Sequence, residues 1–268
     1  MFRRTFLIGV GAAVAAAACG GSPIQPGGGG TPPPPGPTPT PTPPPPPPNP
    51  PTLGITRILS FGDSMTAGTV STALTFAALD AGLAQSYPYK LQTLLAARYS
   101  AQTISVFNAG IAGKRATQDR DDGRLGGALS EAKPELLILM EGANDLNNIV
   151  GSANEAIAAA VGAMEDMVRQ AQGRGVRVMV ATLPEQRPGQ PNTQNAALVP
   201  RYNADLRTMA QKKDAILVDL NAMFPVSLIG RDGLHPTEAG YDKFAEIFLD
   251  AIRQQYETPA AANASPGR

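Results

Sequence analysis

From Ile55 onward, short unbroken apolar runs alternate with longer stretches in which apolar positions recur every three or four residues. A short apolar run suits a strand buried on both faces, and a 3.6-residue period suits a helix that buries one side. The runs occupy residues 55–61, 103–108, 135–141, 176–182 and 215–219, and each leads through Gly, Asn or Asp into a helical stretch. The clearest helix starts at Ser152, where Ser152 and Glu155 form a capping box and Ile157, Val161, Met164 and Val168 share one face. Another follows Pro236, with Tyr241, Phe244, Phe248 and Ile252 turned inward, and residues 88–98 and 196–212 read as two more. Strand and helix alternating in this way predicts a parallel sheet with helices on both faces. Functional groups of such a sheet gather at the carboxyl ends of its strands.

Before Ile55 the periodicity is lost. Of the 27 prolines, 17 lie between Pro23 and Pro51, so the first 52 residues are excluded from a packed core and the folded domain is expected over residues 53–256. Residues 1–19 read as a targeting segment, with Arg3 and Arg4 ahead of an uncharged apolar stretch of 13 residues, Phe6 to Ala18. That stretch is short for a membrane-spanning helix. It ends Ala16-Ala17-Ala18-Cys19-Gly20, which resembles a bacterial lipoprotein signal whose Cys is lipidated, and Cys19 is the sole cysteine. Arg3-Arg4 also resembles a twin-arginine export signal. Residues 20–52 read as an uncharged Pro-rich linker. As polyproline II, 31–51 would extend about 65 Å. The chain is therefore expected to be exported to the bacterial cell envelope and held at a membrane through Cys19, and residues 257–268 are expected to form a disordered tail.

Composition narrows the chemistry. Twenty-two Lys and Arg against 22 Asp and Glu leave no net charge, which argues against nucleic acid as a partner. A single Cys excludes an internal disulfide, a single His beside it argues against a zinc centre, and any imidazole chemistry runs through His235.

Four segments stand at strand ends or ahead of a helix: Gly62-Asp63-Ser64-Met65-Thr66-Ala67-Gly68, Asn108-Ala109-Gly110-Ile111-Ala112-Gly113, Gly142-Ala143-Asn144-Asp145 and Asp232-Gly233-Leu234-His235-Pro236. Each alone reads as turn chemistry. In this order, from Ile55 to Tyr256, they resemble the SGNH hydrolases, also called GDSL esterases and lipases. The resemblance implies a three-layer α/β/α, flavodoxin-like domain with a five-stranded parallel sheet, acting as a carboxylic ester hydrolase without metal or organic cofactor. It implies Ser64 as nucleophile, His235 as base and Asp232 as the group that orients the imidazole. The backbone N–H groups of Ser64 and Gly113 and the side-chain amide of Asn144 would form the oxyanion hole, with Gly110 a rival donor. Asp63 and Asp145 are read as carboxylates that brace the loops.

Other sites fit less well. A nucleophile elbow needs Gly-x-Ser-x-Gly, and Thr66 occupies the place of the second Gly. A paired-carboxylate glycosidase would leave the four segments without a purpose. Two further outcomes remain on this pattern: a silent binding or scaffold protein of the same fold, and an acyltransferase using the same acyl-serine. Residues 69–86 are expected either to wall the acyl pocket as a lid or to form a surface helix, and 184–192 to form a second rim. The substrate is expected to be a small-molecule, glycan or lipid acyl ester, with short acyl or acetyl esters on carbohydrate and lysophospholipid esters both open. The domain is expected to be monomeric.

Overall fold

The structure, a computed structural model, describes residues 50–71, 78–80, 83–149 and 151–258. Residues 1–49, which carry the expected targeting segment with Cys19 and nearly all of the expected linker, and residues 259–268 lie outside the described residues. Five strands form the central sheet: β1 (Arg57–Gly62), β2 (Ser105–Gly110), β3 (Leu136–Met140), β4 (Arg177–Ala181) and β5 (Ile216–Val218). They are parallel and lie in the order β2-β1-β3-β4-β5. All five coincide with the apolar runs, and the order is the flavodoxin-like one. Every residue of β3 is buried, as an apolar strand covered on both faces requires.

Six longer helices cover the sheet: α1 (Tyr87–Arg98), α2 (Ala116–Asp121), α3 (Arg124–Ala132), α4 (Ala153–Gln172), α5 (Val199–Lys212) and α6 (Glu238–Tyr256). On one face α1 packs on β2 and α6; on the other, α3 lies on β1, α2 on α4, and α4 on β4 and α5. The result is the expected three-layer α/β/α arrangement. Ser152 Oγ accepts from the N–H of Glu155 at 3.3 Å while the Glu155 carboxylate accepts from the N–H of Ser152 at 2.8 Å, which closes the capping box of α4. At the head of α6, Thr237 Oγ1 accepts from the N–H of Gly240 at 3.2 Å. Tyr241, Phe244, Phe248 and Ile252 are all buried, and Phe248 stacks 4.8 Å from Tyr87 of α1.

Three features depart from the sequence reading. Helices α2 and α3 are not anticipated there: α2 is six mostly polar residues with no apolar period, and in α3 the helical spacing of Leu125, Leu129 and Ala132 is obscured by Gly126 and Gly127, poor helix formers. The surface helix considered for 69–86 is not present among the described residues. Thr69–Ser71 instead pairs antiparallel with Ala78–Asp80, and one 3₁₀ turn, Leu83–Gln85, leads into α1. Finally, the fold extends past both expected limits, because Thr52–Leu53 pairs antiparallel with Glu257–Thr258. Glu257 is no part of a loose tail. Its carboxylate accepts from Arg98 at 2.7 and 2.8 Å, and this ion pair, with the Tyr99 hydroxyl, lowers it to about 2.

Candidate active site

Strand β1 ends at Gly62 and the chain turns into a single helical turn, Ser64–Ala67. Asp63 caps that turn: its Oδ1 accepts from the N–H of Met65 at 2.9 Å, and its carbonyl accepts from Thr66 and Ala67. The cap leaves Ser64 at the first helical position, where its N–H donates to no acceptor among the described residues. After β2, the chain passes through Gly113, which holds φ at +80°, a left-handed conformation that favours glycine. The Gly113 N–H is likewise unengaged among the described residues. Gly110 is removed as a rival donor, since its N–H bonds Asn108 Oδ1 at 2.9 Å.

His235 approaches from the far end of the chain, in the loop ahead of α6. Its Nε2 lies 2.8 Å from Ser64 Oγ, and its Nδ1 lies 2.5 Å from Asp232 Oδ2. Asp232 is fully buried, and its other oxygen accepts the N–H groups of Leu234 and His235 at 3.1 and 3.0 Å. Burial opposes ionisation of this carboxyl, but the bonds from His235 and the two backbone donors outweigh it and hold Asp232 below the usual carboxylate range. An ionised Asp232 only accepts hydrogen bonds, so the imidazole proton belongs on Nδ1 and Nε2 keeps its lone pair toward the Ser64 hydroxyl. This is the arrangement that lets a hydroxyl lose its proton as it attacks.

Asn144 stands in the short helix Ala143–Asn147 that follows β3. Its Nδ2 donates to the carbonyl of Lys114 at 2.8 Å, which fixes the amide plane and leaves the second hydrogen for the pocket it lines. Asp145 braces the same region by accepting from the N–H groups of Ala116 and Thr117 and from the Thr117 hydroxyl. Asp63 is wholly buried, and burial pushes its carboxyl up to about 6 against the Met65 bond.

Ser64, Gly113, Asn144 and His235 open into one cavity of about 430 Å³. The rest of its wall is Thr69, Ala112, Asn147, Asn148, Asn192, Gln194 and Leu234. Five of these eleven residues are carboxamides, and none but His235 is ionisable. Asn192 and Gln194 come from or just beyond the loop at 184–192, and Thr69 from the segment at 69–86, so both stretches reach the rim. Asn192 carries no local signal of a role in the sequence. It donates to Asp232 Oδ2 at 3.4 Å, and its carbonyl accepts from Asn147 Nδ2 at 2.7 Å. Arg124, Asp119 and Glu141, which meet beneath the cavity, also lack a local signal, because their pairing depends on tertiary approach.

Hydroxyl, imidazole and carboxylate aligned at the carboxyl edge of an open parallel sheet define the class of serine hydrolases. The chain belongs to the GDSL-like lipase/acylhydrolase family, which matches residues 60–243, and this membership places the domain among the carboxylic ester hydrolases. A curated relative, the uncharacterized esterase YxiM of Bacillus subtilis (strain 168), is 28% identical over 168 residues; the match covers 57% of this chain and 43% of that protein. The chain thus spans under half of that relative. Among solved structures, a lipase/acylhydrolase from Enterococcus faecalis superposes with a TM-score of 0.62 at 22% identity, covering 78% of this chain and all of that one. Est24, a carbohydrate acetylesterase from Sinorhizobium meliloti, gives 0.60 at 16% identity over 75% of this chain and 99% of its own. Axe2, an acetylxylan esterase from Geobacillus stearothermophilus, gives 0.56 at 20% identity over 75% and 94%. At these identities the likeness speaks for the fold.

Proposed function

We propose that the domain hydrolyses short acyl esters, acetyl above all, carried on a hydroxyl-rich leaving group such as a carbohydrate. The observation that carries the reaction is the line Ser64 Oγ, His235, Asp232, with spacings of 2.8 and 2.5 Å, opening on the cavity. Ser64 Oγ attacks the ester carbonyl as its proton passes to His235 Nε2, and Asp232 balances the imidazolium. The N–H groups of Ser64 and Gly113 and the amide of Asn144 receive the oxyanion. Collapse expels the alcohol, protonated by His235, and leaves an acyl ester on Ser64. Water, activated by the same imidazole, then releases the acid and restores the serine.

The choice of substrate rests on the wall. Carboxamides offer both donors and acceptors to sugar hydroxyls, and five of them line the cavity. A lipid chain calls for an apolar channel, and among the described residues the cavity offers Ala112 and Leu234 as hydrocarbon. The carbohydrate and acetyl esterases among the structural neighbours are in keeping with this choice. The same reading places the domain in the cell envelope, exported and held through a lipid on Cys19, supported by the small-residue run before that sole cysteine.

The test uses the full chain. Parent enzyme labels with a fluorophosphonate and hydrolyses p-nitrophenyl acetate, while Ser64→Ala does neither; turnover by that variant removes the nucleophile. Acetylated xylo-oligosaccharides are expected to be cleaved faster than p-nitrophenyl octanoate or lysophosphatidylcholine. The reverse order overturns the carbohydrate assignment, and acetyl transfer to a sugar without acid release would mark an acyltransferase. Metabolic labelling with palmitate in a bacterial host, lost in Cys19→Ala, tests the anchor.

A further inference from the structure

Beneath the cavity, one guanidinium touches the ends of three neighbouring strands. Arg124, at the start of α3, donates from one terminal nitrogen to the carbonyl of Ala109 in β2 at 2.6 Å. From the other it reaches the carbonyl of Gly62, the last residue of β1, at 3.2 Å. That nitrogen also meets the carboxyl of Glu141, the residue after β3, at 3.3 Å. Nε and the same nitrogen grip both oxygens of Asp119. The guanidinium carbon sits 3.8 Å from the centre of the Phe61 ring, so its plane is held by stacking as well.

Each of the three strand ends leads directly to one oxyanion donor. Two residues after Gly62 comes the N–H of Ser64, four after Ala109 the N–H of Gly113, and three after Glu141 the side chain of Asn144. We infer that Arg124 is a positioning residue: by clamping the ends of β1, β2 and β3 together, it sets the spacing of the three oxyanion donors, without itself touching substrate. The inference rests on the proposed oxyanion hole.

The charges around it are suited to a fixed clamp. Asp119 and Glu141 are both fully buried, while Arg124 is mostly so. Burial disfavours the Asp119 anion, yet the Arg124 bonds hold its carboxyl below the usual range. Burial and the neighbouring Asp119 push the Glu141 carboxyl well above its usual range. The guanidinium thus meets two carboxyl groups in a buried space, where charge-assisted bonds are strong and geometrically demanding. The planar guanidinium holds its five donors in one rigid fork; a lysine keeps the charge but its compact ammonium cannot span the same acceptors in fixed geometry.

The experiment is a double-mutant cycle between Arg124→Lys and Asn144→Ala in the full chain, with KM and kcat measured separately on p-nitrophenyl acetate. Misplacing catalytic donors by about an ångström costs on the order of 10²-fold. Arg124→Lys is expected to lower kcat roughly 10- to 100-fold with KM within about twofold, as for loss of an interaction made only in the transition state. In the Asn144→Ala background the same change is expected to cost less than in the parent, since one of the three donors it positions is already gone. Asp119→Asn, which frees the guanidinium from its anchoring anion, is expected to give the same signature and serves if the lysine variant does not fold. A kcat within about threefold of the parent, or a loss of full size in the Asn144→Ala background, overturns the positioning role. If Asn144→Ala alone has no effect, it is the oxyanion reading that fails.

Discussion

The hydroxyl of Ser71 accepts the N–H of Asp232 at 3.3 Å, across 161 positions of chain. The N–H of Ser71 also donates to the carbonyl of Pro236 at 3.1 Å, so the short strand after the Ser64 turn braces the loop that carries Asp232 and His235. This brace keeps the two halves of the site in register, and it requires close contact.

The closest approach is at Gly230, where a Cβ would stand 2.4 Å from the Ser71 side chain and 2.6 Å from its carbonyl oxygen. Because backbone is involved, something must shift. Gly230→Ala is expected to destabilise the fold by about 1–3 kcal/mol, the usual cost of overpacking, and to lower kcat by more than about tenfold as the loop is pushed away. Denaturant melts and initial rates on p-nitrophenyl acetate check both, and an unchanged kcat would detach the brace from catalysis.

Asp232 holds the imidazole by accepting from Nδ1. In Asp232→Asn an amide NH₂ can face that nitrogen and favour the opposite tautomer, with the proton on Nε2, where Ser64 needs a lone pair. By the precedent of other serine triads, kcat is expected to drop roughly 10³- to 10⁴-fold with little change in stability. A loss under about tenfold would mean that the imidazole is oriented by something other than this carboxylate.

Asn144→Ala removes one of the proposed oxyanion donors while leaving Ser64 and His235 in place. The expected cost is roughly 10²–10³ in kcat, typical for one such donor, with the fluorophosphonate label retained but slower to form. Steady-state kinetics suffices, and a change below about tenfold would remove Asn144 from the hole.

Asp63 predicts a pH effect on stability. Burial raises its carboxyl from 3.8 to about 6, so between these values the fold holds a proton that the unfolded chain has released. Stability from this group is therefore greatest below about pH 4, declines as pH rises toward 6 and is not regained above it, a difference of about 3 kcal/mol for two units. Asp63→Asn keeps the capping oxygen and cannot ionise. The gap in unfolding free energy between variant and parent should widen from about pH 4 to about pH 6.5 in favour of the variant; a gap independent of pH would show that Asp63 is not buried as described.

The sheet was readable because each strand is an unbroken apolar run ending in a turn residue, and a strand buried on both faces admits little else. Ser64, His235, Asp232, Gly113 and Asn144 could be named because their four short segments, in order, resemble the SGNH hydrolases, with His235 the sole imidazole and a carboxylate three residues before it; no one segment would have marked them alone. Arg124 and Asp119 could not, since an Arg and an Asp five residues apart usually mark a solvated face. Nor did anything in Tyr256-Glu257-Thr258 betray a strand, because its partner at Thr52–Leu53 lies at the other end of the domain. Pairings of this kind are decided by which surfaces meet, and no local period records them.

The pairing of Thr52–Leu53 with Glu257–Thr258 brings both ends of the described chain side by side. Leu53 also exchanges hydrogen bonds with Gln102, just ahead of β2, so the pair lies at the amino edge of the sheet. The cleft opens at the opposite edge, some ~20 Å away by the length of a six-residue strand. Immobilising the described domain by its end at Thr52 or at Thr258 is therefore expected to leave the cleft facing the solution. Joining the two ends through a short peptide and cutting a surface loop elsewhere would give a circular permutant with its catalytic groups untouched.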